Sequence, residues 1–263
     1  MNAVRVPNPQ SLIANPELDA EVRKHDEDRW LASRFAPADV RARLMAIYAL
    51  NTEIARTAEV VSQPAIGDIR LAWWREALTE IADGKPPRAH PILQAYAATQ
   101  QDAPSVRHLW ELTLDTRACD LDSAPFKVWA DVEAYIDNTA GNVMRMALRA
   151  CEDHETIPEL VAMASRAWGY VGLMRSAASW GARGRTVLPS QGGTMEEMRE
   201  RAKLAYGLAH SLAKKHFAAP GFPALGYVAL VPGYLSALVK GRVERPLIAR
   251  QFKLIAAAAT GRL

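Results

Sequence analysis

The 263-residue chain is poor in cysteine, has no long block of like charge and shows almost no strand-like alternation. Its two cysteines, Cys119 and Cys151, form no CxxC pair and have no histidine at ligand spacing. That excludes a zinc ribbon or a dithiol redox motif and leaves two free, buried thiols suited to a reducing compartment. The 32 basic and 29 acidic residues leave a net charge of only +3, and the densest basic cluster is the pair Lys214-Lys215. Nucleic acid is therefore not an expected partner. No GxSxG, HExxH or glycine-rich phosphate loop is present, so neither a nucleophile elbow nor a zincin site is available. The six histidines, His25, His90, His108, His154, His210 and His216, make no close pair and read as surface or helix-face residues. Met1 to Pro16 has no apolar stretch of signal-peptide length and is expected to be a loose extension. The longest apolar run, Phe222 to Val239, carries prolines and glycines in its first half. It reads as a loop leading into a buried helix, and no span is expected.

What the chain does have is helical periodicity. Hydrophobic residues make up 49% and charged residues 23%, ordinary values for a folded globular protein. Val40, Leu44, Ile47, Ile54, Ala58 and Val61 recur at spacings of three, four and seven, one apolar stripe of a helix starting near Asp39. Further helices are expected over 66–82, 90–101, 105–119, 129–150, 157–180, 195–217, 224–240 and 246–259. They are punctuated by short breakers such as Asp83-Gly84-Lys85-Pro86-Pro87. Short connections and a single periodicity imply one all-α, bundle-like domain.

Carboxylates deserve separate reading, because paired acids on facing helices are the usual platform for magnesium. The run His25-Asp26-Glu27-Asp28 fans around a helix and is expected to be a solvated face. Glu196-Glu197 suits a helix first turn. Asp120 and Asp122 close a helix and enter a turn. None of these is expected to face a second acidic helix.

Three unusual segments remain. They are Ala46 to Glu59 followed by Arg70-Leu71-Ala72-Trp73-Trp74-Arg75; Tyr135 to Val143; and Gly169 to Arg175 leading to Gly184-Arg185-Thr186-Val187-Leu188-Pro189. With the opening Asp28-Arg29-Trp30-Leu31-Ala32-Ser33-Arg34-Phe35-Ala36-Pro37, they resemble the squalene/phytoene synthase family in order and spacing from about Asp28 to Leu238. The resemblance implies an isoprenoid-synthase-type helical bundle around a central apolar cavity. It also implies two acidic motifs that hold magnesium and a prenyl diphosphate. The first, Tyr-Ala-Phe-x-Arg-x-x-Asp-Asp-x-x-Asp, puts its acids on Ala55, Arg56 and Glu59. The second puts its acids on Ser176, Ser179 and Trp180. Only Glu59 is acidic. Alanine offers no ligand, and Arg56 is expected to oppose a dication at a cost of several kcal/mol at an effective dielectric of about 20.

The chain is most similar to a degenerate branch of that family, which includes a mitochondrial respiratory complex I assembly factor. The shared pattern is Asn51-x-Glu53-x-Ala55, Gly67-x-x-Arg70, Trp74, Gly169-x-Val171, Arg175, Gly181 and Leu188-Pro189. The expectation is therefore a non-catalytic binding protein with no cofactor and no metal, partnered by a complex I subunit or assembly module and by a prenyl lipid. Candidate cavity residues are Tyr48, Asn51, Glu53, Arg70, Trp74, Asn142, Arg175 and Arg185, with core or helix packing the competing role for Tyr48, Arg70 and Trp74 and surface salt bridges for Arg175 and Arg185. The alternative is an active head-to-head prenyltransferase acting on farnesyl or geranylgeranyl diphosphate, for which magnesium would be required. The expected location is the bacterial cytoplasm, or the mitochondrial matrix for a eukaryotic source. The Phe222–Val239 and Arg245–Arg262 stretches are candidates for peripheral membrane contact.

Overall fold

The computed structural model describes residues 15–100, 103–153 and 155–263; His154 and most of the expected N-terminal extension lie outside these. Fourteen α-helices and three short 3-10 turns, with no strand, account for the ordered elements among the described residues. In chain order they are α1 (Pro16–His25), α2 (Glu27–Ser33), α3 (Ala38–Ala55), α4 (Thr57–Val60), α5 (Pro64–Ala82), α6 (Pro91–Thr99) and α7 (Ala103–Ala118). There follow α8 (Trp129–Asn138), α9 (Ala140–Ala150), α10 (Pro158–Gly181), α11 (Met195–His216), α12 (Phe222–Leu225), α13 (Val231–Val239) and α14 (Leu247–Thr260). The all-α expectation holds.

Helix starts follow local chemistry. Asn15 accepts a hydrogen bond from the Leu18 amide and precedes Pro16 at the first helical position of α1. Thr194 does the same for the Glu197 amide at the start of α11. Pro64 lies just past the end of α4 at Val60 and opens α5. Two helices precede the one expected near Asp39, and they pack against α3 and each other. Their short length hides the periodicity that identifies longer helices.

Three expected continuous helices are broken, the first at Arg56, which separates α3 from α4. The 129–150 segment divides at Thr139, whose φ of −107° and ψ of −82° leave the helical region and whose hydroxyl donates to the Tyr135 carbonyl. In the Phe222–Val239 run the expected buried helix is present over Val231–Val239, but the first half is not a loop. The run comprises α12, a 3-10 turn over Gly226–Leu230 and α13, with Pro223 and Pro232 each opening a helix. The stretch Ala219–Val239 is long and apolar enough to cross a membrane by composition, yet 72% of its most apolar window is buried inside the protein. It serves as core.

A continuous apolar core links all the long helices, with α10 packed along α11 and against α8, α9 and α13. Its largest buried members include Trp74, Trp110, Tyr48, Tyr96, Tyr170, Tyr227 and Tyr234. The acidic run at 25–28 is not a solvated face. Asp28 is only 3% exposed. It accepts from Tyr234 Oη at 2.5 Å and from Arg250 at 2.8 Å, and lies 3.7 Å from Arg175. A charge so deeply buried requires such partners, and only the fold supplies them.

Candidate functional site

The end of α3 and the middle of α10 leave a cavity of about 240 Å³ between them, closed by α4, the α8–α9 break and the loop after α10. Asn51 and Ala55 line one wall at a spacing of four, with Ala58 and Glu59 beyond the kink at Arg56. Gly169, Gly172, Leu173, Ser176 and Trp180 line the other at helical spacings of one to four. Thr139 faces the space from the α8–α9 break.

Four guanidinium groups and two carboxylates complete the wall: Arg29, Arg117, Arg183 and Arg185 against Glu59 and Asp120. Arg117 and Tyr135 both donate to Asp120, at 3.0 and 2.8 Å. Burial raises the Asp120 carboxyl above the usual range, against the pull of Arg117. Arg29 pairs with Asp26 at 2.7 Å. Arg185 donates to the Leu121 carbonyl, and Arg183 donates to the Ser179 hydroxyl. Neither Arg183 nor Arg185 has a carboxylate within ion-pairing distance among the described residues. The cavity therefore carries excess positive charge beside its apolar alanines, glycines and tryptophans.

A match to the squalene/phytoene synthase profile spans residues 22–202, more than half of the chain. The chain belongs to the squalene/phytoene synthase family. The structure of a dehydrosqualene synthase in complex with ligand is similar, with a TM-score of 0.78, 16% identity and 96% of both chains covered. The squalene synthase HpnC of Alicyclobacillus acidocaldarius gives 0.58 at 19% identity, covering 97% of this chain and 98% of its own. At these identities the likeness establishes the isoprenoid-synthase fold. Among curated proteins, "NADH dehydrogenase (ubiquinone) complex I, assembly factor 6" of Bos taurus is 26% identical over 169 residues, 64% of this chain and 50% of its own length. The Homo sapiens protein of that name is 25% identical over the same span. The chain thus spans about half the length of the curated relatives it matches.

The family frame gives each candidate residue a place. Of the six acid positions that the resemblance assigns, Ala55, Glu59, Ser176 and Trp180 line the cavity. Arg56 does not. Its guanidinium lies 3.6 Å from Glu53 and 3.9 Å from Glu21, so it is drawn into an outer ion-pair cluster and does not oppose a metal across the cavity. Ser179 is exposed on α10. Asn51 and Arg185 face the cavity, whereas the other candidates serve packing or pairing. Tyr48 is fully buried, with Arg29 over its ring at 5.7 Å. Glu53 receives Arg70 at 2.8 Å. Trp74 packs edge-on against Trp73 and His90. Asn142 donates to the Leu109 and Asn138 carbonyls, bracing the α8–α9 break. Arg175 joins Asp28 to Glu244 and does not line the cavity.

Arg29, Arg117 and Arg183 were not singled out as site residues from sequence, and Asp120 was read only as closing a helix, whereas it lines the cavity. The only signals were the position of Arg29 beside Asp28 in the family's opening segment and the proximity of Arg183 to Gly184-Arg185. The residues present do not fit the magnesium that the family implies. Magnesium takes hard oxygen ligands held by carboxylates, and of the four acid positions facing the cavity only Glu59 is acidic. Among the described residues, no three His, Cys, Asp or Glu side chains converge as a ligand group.

Proposed function

We propose that this chain is a non-catalytic member of the squalene/phytoene synthase family, acting by binding in the assembly of a complex I-type NADH dehydrogenase. One observation carries the reading: three of the four cavity-facing acid positions are Ala55, Ser176 and Trp180. Ionising a prenyl diphosphate requires charge stabilisation of the departing group, which metal ions and their carboxylates provide. An arginine-lined cavity instead attracts a phosphate-type headgroup directly. A prenyl lipid phosphate entering here is held rather than turned over. The curated relatives named as complex I assembly factors support the assembly role.

The test has two arms. Purified protein with farnesyl diphosphate and magnesium should release no diphosphate above background. Deleting the gene should lower complex I assembly while leaving squalene and carotenoid levels unchanged; normal complex I in the deletion strain would sink the assembly role.

A second reading, an active prenyltransferase with divergent motifs, has one observation in its favour: Glu59 survives at the cavity and has no ion-pair partner among the described residues. Diphosphate release that disappears in Glu59→Ala would establish it.

A further inference from the structure

Helix α14 has two unlike faces. Arg250, Leu254 and Ala257 point inward and are buried. Arg250 clamps the helix to Asp28 at 2.8 Å and to Glu27. Beyond the other end, the Leu263 carbonyl receives the Tyr206 hydroxyl at 3.1 Å. The helix is therefore anchored near both ends, and its outward face is held in a fixed presentation.

That outward face is apolar. Ile248, Phe252 and Ile255 are 65%, 70% and 56% exposed. Their spacings of four and three place them on one ridge, which Ala259 continues. At about 1.5 Å of rise per residue the helix is about 21 Å long. Single exposed apolar side chains are ordinary on a protein surface. A ridge of three on one anchored helix marks an interaction site.

Charge decides the kind of partner. From Arg245 to Leu263 the chain contains no Asp or Glu. Lys253 lies on the helix itself, Arg262 just beyond it, and Lys240 and Arg242 ahead of it; all four are exposed. Of the nearby acids, Glu244 is tied to Arg175 at 2.5 Å, and Asp28 and Glu27 are held by Arg250 on the inward face. An apolar ridge bordered by cations that have no ion-pair partner among the described residues is complementary to a surface that is apolar within and negative at its boundary. An anionic bilayer is such a surface, and interfacial helices bury this kind of ridge at the level of the headgroups.

We infer that α14 docks this protein on an anionic lipid surface. The ridge Ile248–Phe252–Ile255 enters the acyl boundary, while Lys253, Arg262, Lys240 and Arg242 meet lipid phosphates. The buried Ala219–Val239 stretch stays in the core, so the contact is peripheral. This inference stands apart from the cavity and from its catalytic status, because none of these residues lines the cavity.

The test is co-sedimentation of the full chain with vesicles of equal parts phosphatidylcholine and phosphatidylglycerol, set against vesicles of phosphatidylcholine alone. The expected result is binding to the anionic vesicles, weakened by salt and by neutral lipid. Phe252→Ser/Ile255→Ser should lower the partition coefficient at least about tenfold, given the apolar area withdrawn from the membrane. Both side chains are exposed, so the variant should keep the wild-type melting temperature. Lys253→Glu should weaken anionic binding while leaving the ridge intact. Wild-type protein that ignores anionic vesicles overturns the inference, as does a double variant that binds them equally well. A wild-type dimer that dissociates in the double variant also overturns it, by showing that a second copy covers the ridge.

Discussion

Asp28→Ala and Arg250→Ala remove opposite halves of one buried ion pair, and their costs should be unequal. Burial pushes the Asp28 carboxyl above its usual range despite the hydrogen bonds from Tyr234 and Arg250. When Arg250 is lost, that carboxyl can take up a proton and keep Tyr234 Oη at 2.5 Å. When Asp28 is lost, Arg250 has no equivalent escape, since a guanidinium does not give up its proton. Removing one partner of a buried pair costs about 3–5 kcal/mol. Arg250 would retain Glu27, so Asp28→Ala falls near the lower end, about 3 kcal/mol. At about 2–4 °C per kcal/mol, that lowers the melting temperature by about 6–12 °C. Arg250→Ala should cost about 1–2 kcal/mol, one charged hydrogen-bond set without a stranded charge.

The pH dependence follows from the sign of the shift. A carboxyl whose folded pKa is raised contributes stability that is fully present below its unfolded value of about 3.9 and is lost as pH rises through the folded value. Losing Arg250 raises the folded value further, so Arg250→Ala should approach the wild type on acidification. Asp28→Ala lacks the carboxyl and should not. Urea unfolding followed by circular dichroism at about pH 7 and about pH 5 measures both gaps. Equal losses at neutral pH, or a gap for Arg250→Ala that ignores pH, would refute the reasoning.

Other consequences are directly measurable. A Cβ at Gly169 would lie 2.3 Å from Ile136 Cγ2, on a side chain too buried to yield, so Gly169→Ala should cost about 1–3 kcal/mol. Gly172→Ala meets nothing within 4 Å and should gain up to about 1 kcal/mol from helix propensity; equal melting temperatures for the two variants would contradict the close α8–α10 approach. Burial pushes the Cys151 thiol up to about 12, so near pH 8 only about one molecule in ten thousand carries the thiolate. In a Cys119→Ser background a thiol reagent should therefore label Cys151 only after denaturation, and rapid native labelling would count against its burial. Ala55→Asp/Ser176→Asp should create, with Glu59, a site at which magnesium raises the melting temperature, with no such rise in the wild type. A double variant blind to magnesium would show that these positions do not converge.

Much of the fold was legible because α3, α5, α7, α10 and α11 are long enough for apolar periodicity to stand out. The break at Arg56 was not, since nothing in its flanking residues forbids helix there, whereas Gly141 two residues past Thr139 was a visible sign of a weak point in the 129–150 helix. Thr139 leaves the helical region within Asn138-Thr139-Ala140-Gly141-Asn142, a run made up mostly of weak helix formers, and Asn142 braces the break through the carbonyls of Leu109 and Asn138. The motif positions Ala55, Glu59, Ser176 and Trp180 were legible through the family pattern, and helical spacing turns all four toward the cavity. Arg56 and Ser179 belong to the same motifs but point elsewhere, which a linear pattern does not reveal.

The amino-acid sequence by itself determined the helical class, the family and the loss of acid at the motif positions, because these depend on residue identity and local spacing. Only the tertiary structure decided where the charges act. It buried Asp28 between helices from opposite ends of the chain, and drew Arg56 outward to Glu21 and Glu53. It also gathered Arg29, Arg117, Arg183 and Arg185 from three distant segments around one cavity. Electrostatic interaction depends on distance and burial, and neither is set until the helices have packed.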